Sequence, residues 1–407
     1  MKKQLKRRFK LLTSAVKIIS AQILAAVCSP VLSKKNIWIF SEKKTEARDN
    51  GYHFFKYIRE KHPEIAAYYV ITKNSAERNK VEKLGRVINY DSFRHCLYYF
   101  AAKERVCSQI HGVRPFEELS GLTRLYFYRR KDQRQINLKH GISKDFRPDA
   151  FDFRKVGFDL YVSGAKPEYE YIKKTFSYPD KNIVLSGFCR FDALQHAGGT
   201  EKIILIMPTF RSWLRTSDSS KDRASDAEAM KFCESEYFRV YRDLLNDRRL
   251  RDLCREFDYR VVFYLHYTFQ PYRFLFEEST EKDDRIVIAG RKDYDVQDLL
   301  LRSSVLVTDY SSVFFDYAYM HKPVVYYQFD KAEYREKHYQ EGFFVYERDG
   351  FGPVLSKGDE VLAYLDMVLR DGCRMQEIYL ARAESFFQPY DDHNCDRVYD
   401  AILRLDQ

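Results

Sequence analysis

Glycine and proline are scarce in this 407-residue chain, with 16 and 11 residues respectively, which excludes collagen-like and low-complexity classes. The cysteines, at 28, 96, 107, 189, 233, 254, 373 and 395, form no CxxC pair and no Cys/His cluster at zinc-ligand spacing. Thiols dispersed in this way exclude a disulfide framework and a zinc-stapled module, and they read as reduced cytosolic cysteines. Also missing are a GxxxxGK[ST] loop, a GxGxxG fingerprint, HExxH and GxSxG. Walker-type NTPases, nicotinamide dehydrogenases, zincins and α/β-hydrolases therefore lose support. No carboxylate cluster demands a metal, so no obligatory metal or other cofactor is expected.

What is present is a chain that can build a large core. Hydrophobic residues make up 45%, and 32 Tyr and 31 Phe argue against extended disorder. At roughly 100–200 residues per domain, the length predicts about two domains. Net charge is +10, but it is concentrated: residues 1–35 contain Lys2, Lys3, Lys6, Arg7, Arg8, Lys10, Lys17, Lys34 and Lys35 and no acid. The remainder is close to neutral, which argues against a nucleic-acid binder and points to what the N-terminal segment touches.

Residues 11–32, LLTSAVKIISAQILAAVCSPVL, are apolar but interrupted by Ser14, Lys17, Ser20 and Gln22. A spanning helix needs about 20 predominantly apolar residues, whereas one lying in the interface tolerates such breaks. The expectation is a peripheral, interfacial anchor on an anionic membrane surface, with a true span or a helix packed on its own protein as the alternatives.

From residue 36 onward, short β-branched or aromatic runs alternate with helix-length intervals. Strands are expected at 37–41, 68–72, 86–90, 105–108, 135–138, 159–163 and 182–186, and again at 202–207, 260–265, 285–289, 304–308 and 324–328. Such alternation implies βαβ units and parallel sheets, hence an α/β fold of two doubly wound domains. The joint is placed near 193–201, where Gly198-Gly199 interrupts the pattern. The expected division is a basic amphipathic segment 1–35, an N-terminal domain 36–197 and a C-terminal domain 198–407 ending in helices over about 359–405. Residues 213–236 read as a polar, mobile insertion.

In parallel α/β sheets, ligands bind outside the carboxyl ends of the strands. After 202–207 come Thr209 and Arg211; after 260–265 comes His266; after 304–308 come Asp309, Ser311 and Ser312, then Asp316 in a helix. Ser311 and Ser312 stand where that helix begins, so capping of backbone N–H groups and binding of an anion are both open to them. Asp316 and Asp309 are either solvated or capping carboxylates or acceptors for ligand hydroxyls. In the first half, QINLKH ends on His140 beside Gly141, a residue that allows close backbone approach. His140 is either a structural histidine or a proton-transfer group, since histidine titrates near neutral pH. Arg190 and Asp192, in SGFCRFD, are either a hinge ion pair or further site residues.

Taken together, DVQDLLLRSSVLVTDYSSVFFDYAYMHKPVVYYQFD (295–330), WIFSEKKTEARDNGYHFFKYI (38–58), KHG (139–141), YVSGAKPEYEYI (161–172), GFCRFDAL (187–194), MPTFR (207–211), YLH (264–266) and DDHNCDRVYDAI (391–402) resemble the CDP-glycerol glycerophosphotransferase family of teichoic-acid and capsule enzymes. The resemblance runs in order over about 37–403. It implies a GT-B architecture, two Rossmann-like domains facing a cleft, with the donor nucleotide in the C-terminal one. It also implies transfer of a polyol phosphate from CDP-glycerol or another CDP-polyol to a hydroxyl of a lipid-linked, undecaprenyl-type glycan or polyol-phosphate acceptor, releasing CMP, at the cytoplasmic face of the membrane. His140 and His266 match the family's catalytic candidates; Thr209, Arg211, Ser311 and Ser312 match motifs near the donor's phosphates. The chain departs from the family at Ile142-Ser143-Lys144-Asp145, where Thr-Pro-Leu-Lys is common, and at Tyr267, where proline is common. The competing expectations are a GT-B nucleotide-sugar glycosyltransferase and a non-catalytic membrane scaffold.

Overall fold

The computed structural model describes residues 2–111, 113–124, 130–196 and 198–406. Two compact units emerge. One comprises Met1–Ile142, Pro148–Ala193 and Pro389–Gln407, the other Ser143–Arg147 and Leu194–Gln388.

The first unit is built on strands β1 (Ile37–Ser41), β2 (Ala66–Ile71), β3 (Arg86–Asn89), β4 (Glu104–Cys107), β5 (Arg134–Asn137), β6 (Leu160–Ser163) and β7 (Ile183–Leu185). They form one parallel sheet in the order β3-β2-β1-β4-β5-β6-β7. Helices cover such a sheet on both faces, so its central strands are buried along their whole length, as β1 and β4 are.

The second unit holds β8 (Ile203–Ile206), β9 (Arg260–Tyr264), β10 (Ile286–Ala289), β11 (Val305–Thr308), β12 (Val324–Tyr327) and β13 (Val354–Leu355). This sheet is also parallel, in the order β10-β9-β8-β11-β12-β13. All the expected strands are present within a residue or two; the two-residue edge strand β13 was not foreseen, being too short to carry a pattern. In each sheet the order reverses at the first strand of the unit, between β1 and β4 and between β8 and β11. At these switch points the loops beyond the carboxyl ends diverge and leave room for a ligand.

Two expectations are corrected. The helix Asn394–Arg404 belongs to the first unit, not to the domain expected over 198–407, because Asp192 accepts hydrogen bonds from Asn394 N (2.9 Å) and Cys395 N (3.0 Å) at its start. The supposed insertion 213–236 contains a regular helix, Asp226–Cys233, because Ser225 and Glu228 form a reciprocal capping box and Phe232 is buried in the second core.

The N-terminal helix Lys2–Val27 lies on the helix Phe93–Ala101 of the first unit. Ser14, Ile18, Ala21, Gln22 and Ala25 are buried, and Gln22 donates to the Leu122 carbonyl at 3.1 Å. Leu5, Phe9, Leu12, Val16, Ile23 and Val27 are exposed. Their spacing of three, four or seven residues puts them along one stripe.

Candidate functional site

His140 follows β5 and is exposed, while the preceding Leu138 and Lys139 are buried. Lys139 holds a left-handed backbone, φ 57°, a conformation that costs a non-glycine residue on the order of 1–3 kcal/mol unless its surroundings enforce it. They do so from two sides. The Asn50 carboxamide donates to the carbonyls of Leu138 (3.3 Å) and Lys139 (2.9 Å), and its oxygen accepts from Arg190 N at 3.0 Å. The Lys139 ammonium is buried against Glu168, whose other oxygen accepts from Ser163 Oγ (3.0 Å) and Gly164 N (2.8 Å). His140 is thus presented to solvent on a rigid turn. Asn50 and Glu168 escaped the sequence reading because nothing local marks them: their partners lie about ninety and thirty residues away.

Arg190 and Asp192 do not form a hinge pair. Arg190 binds Asp49 Oδ1 at 3.0 Å, and Asp192 caps the last helix. Both are structural anchors of the first unit.

In the second unit, Thr209 N donates to Asp309 Oδ1 at 2.8 Å, so the loops after β8 and β11 meet at the switch point. Arg211 corrects the expectation of an open phosphate ligand, being fully buried. Its guanidinium engages Asp330 (2.5 and 3.0 Å), Asp309 Oδ2 (2.9 Å) and the Thr209 carbonyl (2.7 Å). The rings of Tyr237, Tyr310 and Tyr334 surround it with centroids 5.1–5.2 Å away. Asp309 is equally enclosed, accepting also from Tyr310 N at 2.5 Å. These charges serve each other and fix both loops in place.

What remains open toward a ligand is different. Ser312 is exposed and Ser311 half-buried, and the Ser312 side chain makes no cap hydrogen bond to the helix Val313–Tyr319. Capping was one of the two readings of that serine, and it is not the one realised. Asp316 is largely buried in the same helix.

His266 is half-buried at the end of β9 and starts the 3₁₀ segment Tyr267–Tyr272. Its Nδ1 accepts the Thr268 N–H at 3.2 Å. A ring nitrogen that accepts cannot carry the proton, so the neutral ring is the Nε2–H tautomer, a hydrogen-bond donor on its other edge. The ring lies against Phe210, 4.7 Å between centroids and 29° between planes.

The same 3₁₀ segment walls a cavity of about 290 Å³ lined by Lys221, Gln270, Arg273, Gly290, Arg291 and Lys292, with Asp222 and Asp293. Gln270 joins its walls, donating to the Leu265 carbonyl (2.7 Å) and accepting from Arg291 N (3.1 Å). A side chain at Gly290 would meet the ends of the Arg273 and Asp293 side chains, at 2.5 and 2.7 Å, so glycine lets those two side chains lie close over that wall. The sequence signal for this cavity was present in Gly290-Arg291-Lys292 after β10, but only pairing of β10 beside β9 brings it next to the His266 segment. Among the described residues no group of three or more His, Cys, Asp or Glu could hold a metal ion.

Residues 22–404 match the family described as CDP-Glycerol:Poly(glycerophosphate) glycerophosphotransferase. The minor teichoic acid biosynthesis protein GgaB of Bacillus subtilis (strain 168) is 34% identical over 92% of the chain, which spans 40% of GgaB. The teichoic acid poly(glycerol phosphate) polymerase of the same organism is 23% identical over 90% of the chain, which spans 48% of it. The chain therefore spans less than half the length of these curated relatives. Among solved structures, the wall teichoic acid polymerase TagF superposes with a TM-score of 0.66 at 16% identity, covering 99% of this chain and 97% of that one. The S. aureus MnaA–UDP co-structure gives 0.56 at 14% identity, covering 91% and 96%. These likenesses show a GT-B-like fold.

Proposed function

The chain belongs to the CDP-glycerol:poly(glycerophosphate) glycerophosphotransferase family, and from that premise we propose that it transfers a polyol phosphate, glycerol phosphate in the first instance, from a CDP-polyol to a hydroxyl of a lipid-linked glycan or polyol-phosphate acceptor in teichoic acid or capsule synthesis. The observation that carries the reading is the family match over 22–404, which includes both histidines. The side-chain chemistry agrees with it.

In this reading the acceptor oxygen attacks the phosphorus that bears the polyol. The new P–O bond forms as the bridging P–O bond to CMP breaks, and the acceptor's proton passes to His140. Exposure on a rigid turn suits His140 to that role, and general-base catalysis is worth about 10²–10⁴-fold. His266, held as a donor by Thr268, suits the opposite task of bonding a phosphoryl or leaving-group oxygen as charge builds there. Ser311, Ser312 and Thr209 supply further hydroxyl donors, with Asp316 facing ribose or polyol hydroxyls. Arg211 acts from beneath, by holding the Thr209 and Asp309 loops, and needs no contact with the donor. No metal is required in this scheme.

The helix Lys2–Val27 supports a peripheral seat at the cytoplasmic face of an anionic membrane. Its exposed apolar stripe is flanked by the exposed Arg7, Arg8, Lys10 and Lys17, and basic residues contribute on the order of 1 kcal/mol each at an anionic surface. The stretch Arg7–Val27 is also long and apolar enough to cross a bilayer, but the burial of its polar Ser14 and Gln22 against the first unit favours lying flat.

The test is nucleotide release from CDP-glycerol, CDP-ribitol and a panel of nucleotide sugars, with bacterial membrane lipid extract as acceptor. CMP release from one CDP-polyol, lost in His140→Ala, supports the reading. Release only from a nucleotide sugar would make the protein a glycosyltransferase, and silence on every donor with acceptor present would make it a scaffold.

A further inference from the structure

Phe210 is bracketed by two histidines. His266 stacks on it, and His338 meets it nearly edge-on, 4.7 Å between centroids and 76° between planes. His338 directly follows the helix Lys331–Lys337, beyond β12 and outside every motif that carries the family resemblance. Its Nδ1 accepts the Ser212 N–H at 3.1 Å, and the Ser212 hydroxyl donates to the Lys337 carbonyl at 2.8 Å. The two bonds latch the loop after β8 onto the end of that helix. The His338 ring plane is itself held by stacking on Tyr334, 4.8 Å and 28°.

The latch requires a particular protonation state, because an Nδ1 that accepts an N–H cannot bear a proton. Burial, and next the Arg211 charge, lower the His338 pKa to about 4, so the ring is neutral at physiological pH. The neighbouring residues Thr209 and Arg211 are fixed by the buried Asp309 and Asp330 pairs. Phe210, between them, is half-buried and packed on the second core, where the His338 ring touches it directly while Nδ1 binds Ser212 two residues on.

We propose that His338 is a positioning residue, which as a neutral acceptor holds Ser212, and with it the Phe210 ring on which His266 rests. The proposal deepens the reading of His266 as the phosphoryl-side donor and rests on it. A displacement of about 1 Å in a group that must meet a transition state can cost on the order of 10²-fold in rate. The consequence is that the rate should respond to an acceptor atom at the place of Nδ1, and not to the imidazole as such.

Three variants of the full chain separate the possibilities: His338→Asn, whose Oδ1 takes the place of Nδ1, and His338→Gln and His338→Leu, which put a carbon and no acceptor there. With the CDP-polyol that the wild type turns over, the asparagine variant is expected within about threefold of wild-type kcat, and the other two about tenfold or more below it with KM for the donor changed less than threefold. Wild-type kcat in His338→Leu, equal damage in His338→Asn and His338→Leu, or a loss confined to KM would each overturn the proposal. Circular dichroism of each variant identifies any that fails to fold. A second measurement needs no turnover: ¹⁵N-histidine NMR at neutral pH should show the Nε2–H tautomer for His338, and a His266 ring resonance that moves in His338→Leu but not in His338→Asn. An Nδ1–H tautomer for His338, or a His266 resonance indifferent to the leucine change, would sink it. If the wild type releases CMP from no CDP-polyol, the proposed activity falls, while the NMR result still decides the latch.

Discussion

The Thr268 N–H points at Nδ1 of His266 from 3.2 Å, and this single bond fixes which ring nitrogen of His266 can donate. It leaves His266 a donor edge and makes it a poor candidate for taking a proton, which is why the proposed mechanism gives the base's part to His140. His266→Gln, whose amide nitrogen can replace Nε2–H, should keep more activity than His266→Asn. Loss of the donor altogether in His266→Ala should cost about 10²–10³-fold in kcat. Steady-state kinetics on the three variants checks this, and a glutamine variant no better than alanine would contradict it.

Arg211 is tied to Asp309 and Asp330 without access to solvent. Removing one partner of such a set leaves a buried charge uncompensated, at a cost of about 3–5 kcal/mol. Arg211→Ala, which leaves the buried Asp309 and Asp330 carboxylates without their counter-charge, should therefore lower the melting temperature and the soluble yield. A stable Arg211→Ala protein with only a raised KM for the donor would mean that the guanidinium serves the ligand after all.

Glu104 on β4 is buried, and its Oε2 has no hydrogen-bond partner among the described residues. Burial raises its pKa from 4.5 to about 8. The folded state then binds a proton that the unfolded state releases, so this group's contribution to stability falls as pH rises from about 4.5 to 8. Glu104→Gln, neutral at every pH, should raise the melting temperature above pH 8 and change it little at pH 5. Thermal unfolding across that range is the measurement; a parallel offset at both ends would refute the assignment.

The exposed stripe of the N-terminal helix should carry membrane binding. Serine at Leu5, Phe9, Leu12 and Val16 together should abolish co-sedimentation with anionic vesicles, because each buried CH₂ contributes about 0.8 kcal/mol. Added salt should weaken binding of the wild type by screening its cations. The fold should survive, since the face formed by Ser14, Ile18, Ala21, Gln22 and Ala25 is untouched. Undiminished binding by the serine variant would assign that stripe to something other than lipid.

What the sequence determined by itself was the arrangement of strands and the residues that end them. β-branched and aromatic runs such as Ile203–Ile206 and Val305–Thr308 have one stable use in a large core, as central strands of a parallel sheet. Chain direction then puts Thr209, His266 and Ser311 at the carboxyl ends, which is why their place in the fold could be read from a linear pattern. Burial and partner choice could not. Arg211 and Asp330 are 119 residues apart, and Asp192 and Asn394 are 202 apart. Only the packed structure decides whether such a charge faces a ligand, another charge or a helix end, and therefore that Arg211 and Asp309 brace the loops after β8 and β11 while Asp192 carries the last helix back to the first unit. The proton on His266 is decided in the same way: a backbone N–H two residues on selects its tautomer, and only the turn after β9 brings that group within reach.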